Sequence, residues 1–412
     1  MSDAKLQSYR RTGGWLALGL LTGLNFFNFM DRYVLPGAQP LIQKHFHASD
    51  AAMGFLTSSF FAVYMIAAPL LGRLGDRWPR KSLLVGGAVL WSCATLLTAL
   101  VHSYTDLLVR HAVVGIGEAA FSIFAPALLA DYFSEGERNR IFTLFYLAIP
   151  LGSAAGYMLG GTLGESLGWR APFYVAAAPG LVIALLLWWL IEEPERGRSD
   201  HEPMLWHRST LRGLLHNRLY WLATLGLAMW TFAVGGLAAF LPTFFVRYGG
   251  ESVGHAGLLV GAITVIAGVG GTVLGGWLGQ VSQRRFSGGL YLVSAAGSWL
   301  AIPFGAIVFF GPHRALVGAA FLAELILFLG TGPLNAAIIN SVAAPVRSSA
   351  IALNLFTIHI LGDAFSPGLI GVVSDHSSLK IGMSMTLLAL VLSGGLLLLG
   401  ARSMPRGGER PA

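Results

Sequence analysis

Charged residues are scarce in this chain, making up 11% of its 412 positions against about 25% in ordinary soluble domains. Its one cysteine, Cys93, excludes a framework of disulfide bonds. No small-residue cleavage site of a signal peptide follows the first apolar run, which we interpret as a membrane span. Hydrophobic residues form 55% of the chain, and the mean hydropathy is +0.66. These proportions predict a membrane protein.

Long apolar runs recur along the chain at lengths that fit a bilayer core of about 30 Å. Six runs precede a polar connector and six follow it, at residues 15–41, 52–74, 82–101, 107–132, 141–163, 171–191, 219–246, 254–281, 288–311, 315–342, 348–373 and 381–401. We therefore predict an all-α membrane protein with twelve transmembrane helices. Its parts are an N-terminal six-helix bundle (1–191), a linker (192–218) and a C-terminal six-helix bundle (219–412).

The basic residues are distributed unevenly between the two sides of this predicted topology. Most of the 27 lysines and arginines fall in loops on one side of the membrane. By the positive-inside rule that side is cytoplasmic, and both termini lie there. The net charge of +7 therefore reflects topology, and we expect no nucleic-acid partner.

A basic loop between the second and third predicted spans, residues 72–81, returns in weaker form at residues 276–285. The repeat, at a shift of 204 residues, matches Gly72, Leu74, Gly75, Arg80 and Lys81 with Gly276, Leu278, Gly279, Arg284 and Arg285. Asp76 has Gln280 as its counterpart, so the acid is lost. A repeat of about half the chain is typical of transporters with two parallel halves.

Two predicted spans carry glycine at every fourth position, a pattern that lets helices approach each other closely. The glycines are Gly152, Gly156, Gly160 and Gly164 in the fifth span, and Gly271, Gly275 and Gly279 in the eighth. We interpret both stripes as helix-packing surfaces.

A few polar and ionisable residues lie at mid-membrane depth, where a charge costs about 2.5–3.5 kcal/mol even on lenient scales. They are Asn28, Asp31, Arg32, Glu118, Glu324, His359 and Asp363. We predict that they line a water-filled cavity, to which both halves contribute. On the first span Asn28 and Arg32 share a face with Asn25, whereas Asp31 points about 100° away from Arg32.

These groups are candidates for proton transfer, because a carboxyl group inside a membrane is neutralised either by a proton or by a nearby cation. Glu118 and Asp31 are the leading proton carriers in this interpretation, and Glu324 is a further candidate. His359 is another, since histidine titrates near neutral pH. The alternative is a permanently paired structural network.

With these residues in view, the chain resembles the major facilitator superfamily over nearly its whole length. Residues 72–81 look like the superfamily's signature in the loop between spans two and three. The resemblance implies that this loop takes part in the conformational switch, through Gly72, Asp76, Arg77, Arg80 and Lys81.

Three further stretches, residues 28–33, 115–119 and 359–367, are similar to the Spinster branch, whose members move lysophospholipids and sphingoid lipids. This resemblance implies that Arg32, Glu118, Glu324 and His359 line the cavity. It also implies that an acid in the cavity couples transport to protons.

We predict a proton-coupled secondary transporter that works by alternating access and moves a small amphipathic, lipid-like molecule. We expect no enzymatic activity, cofactor or metal, and a monomer in the lipid bilayer of a bacterial inner membrane. One alternative is an organic-anion or drug exporter of the same superfamily. A remote alternative is a membrane-embedded lipid enzyme, which the single mid-membrane His359, with no second histidine or serine elbow nearby, disfavours.

Overall fold

The protein is described by a computed structural model covering residues 3–133, 135–194, 213–342 and 347–404, without the side chains of residues 3–12, 76, 135, 136, 138, 139 and 347–349. In these ranges the chain forms helices and short connections, with no β-strand. The predicted all-α class is confirmed.

The helices follow one another with connections of a few residues, except between Leu190 and Arg218. In chain order they are α1 (Asp3–Phe46), α2 (Asp50–Arg77), α3 (Arg80–Thr98), α4 (Tyr104–Tyr132), α5 (Glu135–Tyr146), α6 (Ala148–Leu167), α7 (Ala171–Leu190), α8 (Arg218–Gly249), α9 (Val253–Arg285), α10 (Gly289–Phe310), α11 (Leu316–Leu327), α12 (Thr331–Asn340), α13 (Arg347–Ile358), α14 (Ser366–His376) and α15 (Leu379–Arg402).

Local capping explains where several helices begin and end. The side chains of Ser103, Asn217 and Ser378 each accept a hydrogen bond from the backbone N–H three residues later. These bonds satisfy amides that have no partner inside the helix. At the end of α8, Gly250 has a φ of 65°, a left-handed conformation that glycine adopts without strain.

Within the described residues, eleven helical segments are long and apolar enough to cross a membrane. Large apolar side chains on them are exposed, including Ile66, Leu70 and Trp189. Such exposure suits a lipid environment, so the chain is a multi-pass membrane protein. Helix α1 is not among the eleven, since Asn25, Asn28, Asp31 and Arg32 lower the hydropathy of its central part.

Three predicted spans are interrupted in the structure. The fifth is divided between α5 and α6 at Leu147, and a 3-10 turn at Phe328–Gly330 separates α11 from α12. The helix carrying His359 changes to a wider π-helical turn over His359–Asp363, where Gly362 leaves helical geometry (φ −107°, ψ −108°). Such turns are frequent at functional sites.

The chain packs as two compact units. The first takes in the described residues of Met1–Ala48, Ser59–Pro203 and Ser252–Gly261, and the second takes in those of Ser49–Ser58, Met204–Glu251 and Ala262–Ala412. The core of the first unit includes Trp91, Phe121 and Phe145. A core of the second is built around Tyr220 and Tyr291.

The two glycine stripes are packing surfaces, as predicted. A Cβ atom at Gly156 of α6 would overlap the Met30 carbonyl oxygen of α1, and one at Gly275 of α9 would overlap the Leu329 carbonyl oxygen. Helix backbones therefore lie in direct contact at these positions.

Helix α2 begins within the second unit, where the Asp375 carboxylate of α14 caps its first backbone amides. The backbone N–H groups of Asp50 and Ala51 donate to the Asp375 carboxylate over 2.9 and 3.1 Å. Asp50 itself is 6% exposed, and its own carboxylate accepts two hydrogen bonds from Arg247 at 2.7 and 2.8 Å. The Ser374 hydroxyl also donates to it. The start of α2 thus combines a remote cap with a bidentate ion pair.

Helix α9 begins within the first unit in a related way. The Gly254 N–H and the Ser252 hydroxyl both donate to Glu165 Oε2 over 2.9 Å. A carboxylate at a helix start is favoured by the helix dipole, so Glu165 fastens this end to α6.

Candidate functional site

A buried ion pair joins Arg32 of α1 to Glu118 of α4 within the first unit. Arg32 Nε donates to Glu118 Oε2 over 2.9 Å, and Arg32 Nη2 contacts the same oxygen. The Glu118 side chain is 0% exposed and that of Arg32 is 17% exposed. Among the described residues Glu118 Oε1 has no hydrogen-bond partner. The pair is therefore buried and uses only one of the two carboxylate oxygens.

Four aromatic rings surround the Arg32 guanidinium. Its Cζ atom lies 4.8 and 5.0 Å from the ring centres of Phe29 and Phe60. The rings of Phe61 and Tyr64 follow at 5.8 and 5.9 Å. All four distances fall within the range of cation–π attraction. We call these four residues the ring cage.

The ring cage depends on a close approach of α2 to α4. A Cβ atom at Gly115 would lie 2.6 Å from the Phe60 carbonyl oxygen, so a larger residue there would separate the helices. The His111 ring lies against Phe60, with 5.4 Å between ring centres. Glycine and histidine on the Glu118 face of α4 thus position the rings beside Arg32.

The neighbouring polar residues of α1 point to different partners. Asp31 accepts a hydrogen bond from the Thr95 hydroxyl of α3 and is buried. Asn28 is fully buried next to the Glu118 carboxyl group. Asn25 Nδ2 donates to the Phe145 carbonyl oxygen over 2.9 Å. Asp31 and Arg32 therefore face apart, as the helical spacing predicts.

Three predicted site residues belong to the second unit and do not share one partner. Glu324 of α11 is partly exposed, with the Thr264 hydroxyl in hydrogen-bonding reach. Among the described residues no cationic side chain forms an ion pair with Glu324. His359 Nδ1 lies 2.9 and 3.1 Å from the two carboxylate oxygens of Asp363, across the π-helical turn.

The predicted switch loop is a short turn, Trp78 and Pro79, between α2 and α3. Arg80 Nη1 donates to the Asp131 carboxylate over 2.7 Å. The backbone N–H groups of Arg80 and Lys81 donate to Glu193 at 2.6 and 3.2 Å. The loop is therefore held to the ends of α4 and α7.

The other residues of this loop contribute less to its described contacts. A Cβ atom at Gly72 would meet open space, and Arg77 is exposed. The Asp76 side chain lies outside the described part of the chain.

Sequence reasoning missed several partners that the structure supplies. Thr95, Asp131 and Glu193 are single polar residues, and only their position at a helix end or beside a proline distinguishes the last two. Asp50, at the start of α2, and Asp375, near the end of α14, were missed because charges near a membrane surface occur for many reasons.

Comparison with known proteins defines the class first. The sequence profile of the Major Facilitator Superfamily matches residues 21–367, so the chain belongs to this superfamily of transporters. The crystal structure of a bacterial homolog of the human lysosomal transporter Spinster, in an inward-facing and unoccupied conformation, has a similar fold. Its TM-score is 0.87 at 23% identity, covering 95% of this chain and 98% of that one. A D-xylose-proton symporter gives a TM-score of 0.76 at 17% identity, covering 95% and 98%.

The curated relatives then define the branch. The sphingosine-1-phosphate transporter SPNS2 of Danio rerio is 34% identical over 383 residues, covering 87% of this chain and 76% of the relative. Protein spinster homolog 1 of Homo sapiens is 32% identical over 386 residues, covering 88% and 73%. The chain therefore belongs to the Spinster family of transporters, and the predicted resemblance is confirmed.

Proposed function

We propose that the protein couples the transport of an amphipathic lipid-like molecule, such as a lysophospholipid or sphingoid lipid, to proton movement by alternating access. The observation that carries this proposal is the buried pair of Arg32 and Glu118, whose carboxylate is 0% exposed. A charge pair of this kind inside a membrane protein marks a substrate or proton pathway.

The chemistry follows from what can neutralise each partner. With a proton on Glu118, the Arg32 guanidinium loses its carboxylate and is free to bind an anionic headgroup. With the proton released, Glu118 competes with the headgroup for Arg32. Asp31 would serve as a second proton carrier, since its carboxyl group is buried and accepts a hydrogen bond from the Thr95 hydroxyl. A ligand that binds one state more tightly shifts the balance between states by that difference.

The headgroup chemistry is suggested by the arginine. A guanidinium matches the oxygens of a phosphate with two parallel hydrogen bonds. Relatives named as sphingosine-1-phosphate transporters support a substrate that joins a phosphate to a long apolar chain.

The topology belongs to the same proposal. Helix α1 would also cross the membrane and bring the number of spans to twelve. Both termini would be cytoplasmic, and the membrane would be that of a bacterial cell. The bundles would be residues 1–191 and 219–412, acting as a monomer, with 192–218 as linker. Glu324, His359, Asp363 and Asn28 would contribute to binding or proton transfer. The loop with Gly72, Asp76, Arg77, Arg80 and Lys81 would change contacts between states.

Transport in reconstituted vesicles tests the coupling. We expect an imposed pH gradient to drive accumulation of a labelled lysophospholipid by the wild type. Glu118→Gln should abolish this response, and Asp31→Asn should reduce it, because each removes a site for the proton.

The control is Asp106→Asn, since Asp106 lies on the same helix in a pair with Arg110 that is about one-third exposed. This variant should keep the response. Retention of gradient-driven transport by both Glu118→Gln and Asp31→Asn would refute the coupling. Transport of small organic anions in preference to lysolipids would instead favour the organic-anion exporter.

A further inference from the structure

We infer that the ring cage of Phe29, Phe60, Phe61 and Tyr64 is a second, uncharged support for Arg32, which holds the guanidinium in place when Glu118 is neutral. These are positioning residues, and the inference rests on the proposed function for its consequence in transport. Its structural part stands on the geometry around Arg32 alone.

The cage comes from two helices that meet at Arg32. Phe29 precedes Arg32 by one helical turn on α1, with its ring centre 4.8 Å from the guanidinium carbon. The other three rings come from α2, with Phe60 at 5.0 Å. Rings from two helices thus lie within cation–π distance of the same guanidinium.

Aromatic faces suit this task because they attract a cation without carrying a charge. A carboxylate partner is lost whenever it takes up a proton, whereas the ring quadrupole is unaffected by protons. A guanidinium with neither partner would be expensive inside a membrane and would move toward the surface. The cage removes the need for that movement.

Other groups near Arg32 do not replace the cage. Among the described residues, the titratable side chains that interact with Arg32 are Glu118, Tyr33, Tyr64, Asp31 and His111. Asp31 is directed to Thr95. His111 lies against Phe60 and would add a second positive charge on protonation. Glu118 is thus the carboxylate that pairs with Arg32, and the rings are its uncharged counterpart.

The consequence for transport is a cation that stays in position through the proton cycle. An incoming phosphate group would meet Arg32 already placed at the α1–α4 contact, so little ordering of the side chain is needed on binding. Loss of the cage would leave proton uptake possible but would weaken binding of the anion.

A double-mutant cycle tests the structural part without any substrate. Thermal unfolding of the purified full-length protein in detergent is compared for Phe29→Leu, Glu118→Gln and the combination. We expect Phe29→Leu to lower the melting temperature by about 2 °C more in the Glu118→Gln background than in the wild type. This additional loss of melting temperature should disappear when Arg32→Met is added, because the rings then have no cation to stabilise. Tyr64→Leu repeats the cycle from the α2 side.

The matched control is Phe27→Leu, a partly buried phenylalanine of α1 whose ring contacts Phe26 instead of Arg32. It should lower the melting temperature equally in both backgrounds. Strict additivity for both Phe29→Leu and Tyr64→Leu would overturn the inference.

Binding of lysophosphatidic acid then tests the functional part. Phe29→Leu should weaken binding by roughly two- to thirtyfold, the range that cation–π energies imply, and Phe27→Leu should leave it unchanged. Equal weakening by both variants would overturn the role in substrate binding. If the wild type does not bind this lipid, the proposed substrate is wrong, whereas the unfolding cycle still decides whether the cage supports Arg32.

Discussion

The two repeats of the chain treat equivalent positions differently. The shift of 204 residues that relates the two basic loops also relates Asp50 to Gly254, and Arg32 to Gly236. In the first repeat both positions carry a charged side chain in an ion pair: Asp50 pairs with Arg247, and Arg32 pairs with Glu118. In the second repeat both are glycine.

What the repeats keep in common is the hydrogen-bonded carboxylate. The amides of Asp50 and Gly254 are both capped by an acid from a distant helix, Asp375 or Glu165. Each interior also retains an acid, but Glu324 has a hydroxyl in reach where Glu118 has an arginine. Removing Arg32 would leave the buried Glu118 carboxylate without an opposite charge. Removing the Thr264 hydroxyl would take no opposite charge away from Glu324. The first repeat should therefore be far more sensitive to single substitutions.

The largest effect should come from removing the interior cation. Arg32→Met leaves the Glu118 carboxylate buried without its partner, which typically costs about 3–5 kcal/mol. We expect a strongly lowered thermal unfolding temperature, with partial recovery in Arg32→Met/Glu118→Leu, where both charges are gone. Arg110→Met is the matched control, because its pair with Asp106 is about one-third exposed and should contribute below about 1 kcal/mol. Equal losses from the two arginine variants would contradict the contrast.

The next effect should appear at the helix starts. Arg247→Met removes the bidentate partner of Asp50. We expect it to lower the free energy of unfolding by about 1–2 kcal/mol, because Arg247 is 38% exposed and solvent screens part of the interaction. The two helix caps from distant helices, Asp375 and Glu165, should each contribute less to stability than Arg247 does, and by similar amounts. Asp375→Asn and Glu165→Gln should each cost about 0.5–1 kcal/mol, as a lost cap does. Thermal unfolding in detergent measures all three, and a larger loss for Glu165→Gln than for Arg247→Met would reverse the expected order.

The smallest effect should come from Glu324→Gln. The amide keeps a partner for the Thr264 hydroxyl, and no ion pair in the described residues is broken. We expect a change in unfolding free energy below about 1 kcal/mol. Thermal unfolding checks this beside Glu118→Gln, which should lose more. A loss at Glu324 that exceeds the loss at Glu118 would show that the second repeat also depends on a fixed charge.

Much of the fold was predictable because hydrophobic length and glycine spacing are local signals. The apolar runs indicated the spans, and the glycine stripes indicated the close contacts later seen at Gly156 and Gly275. Helix interruptions were less predictable. The π-helical turn at His359–Asp363 has no proline within it, and its geometry depends on packing against α8, where a side chain on Gly362 would approach Thr231.

The candidate site shows the same division. Scarcity of charge in an apolar chain marked Arg32, Glu118 and Asp31, and helical spacing separated Asp31 from Arg32. The spacing did not predict that the Thr95 hydroxyl would donate to the Asp31 carboxylate, since hydroxyl residues in membrane spans are common. The ring cage was missed for a similar reason, because phenylalanines in apolar helices usually face lipid or other helices.

The amino-acid sequence by itself determined that this is a helical membrane protein with a repeat and a few interior charges, because burial in lipid selects residues one position at a time. Only the tertiary structure decided which acid neutralises Arg32, since Asp31, Glu118 and Glu324 were all candidates for a charge partner and an ion pair needs direct contact, which Glu118 makes at 2.9 Å. That contact depends on how closely α1, α2 and α4 approach, which Gly115 and the aromatic side chains set together.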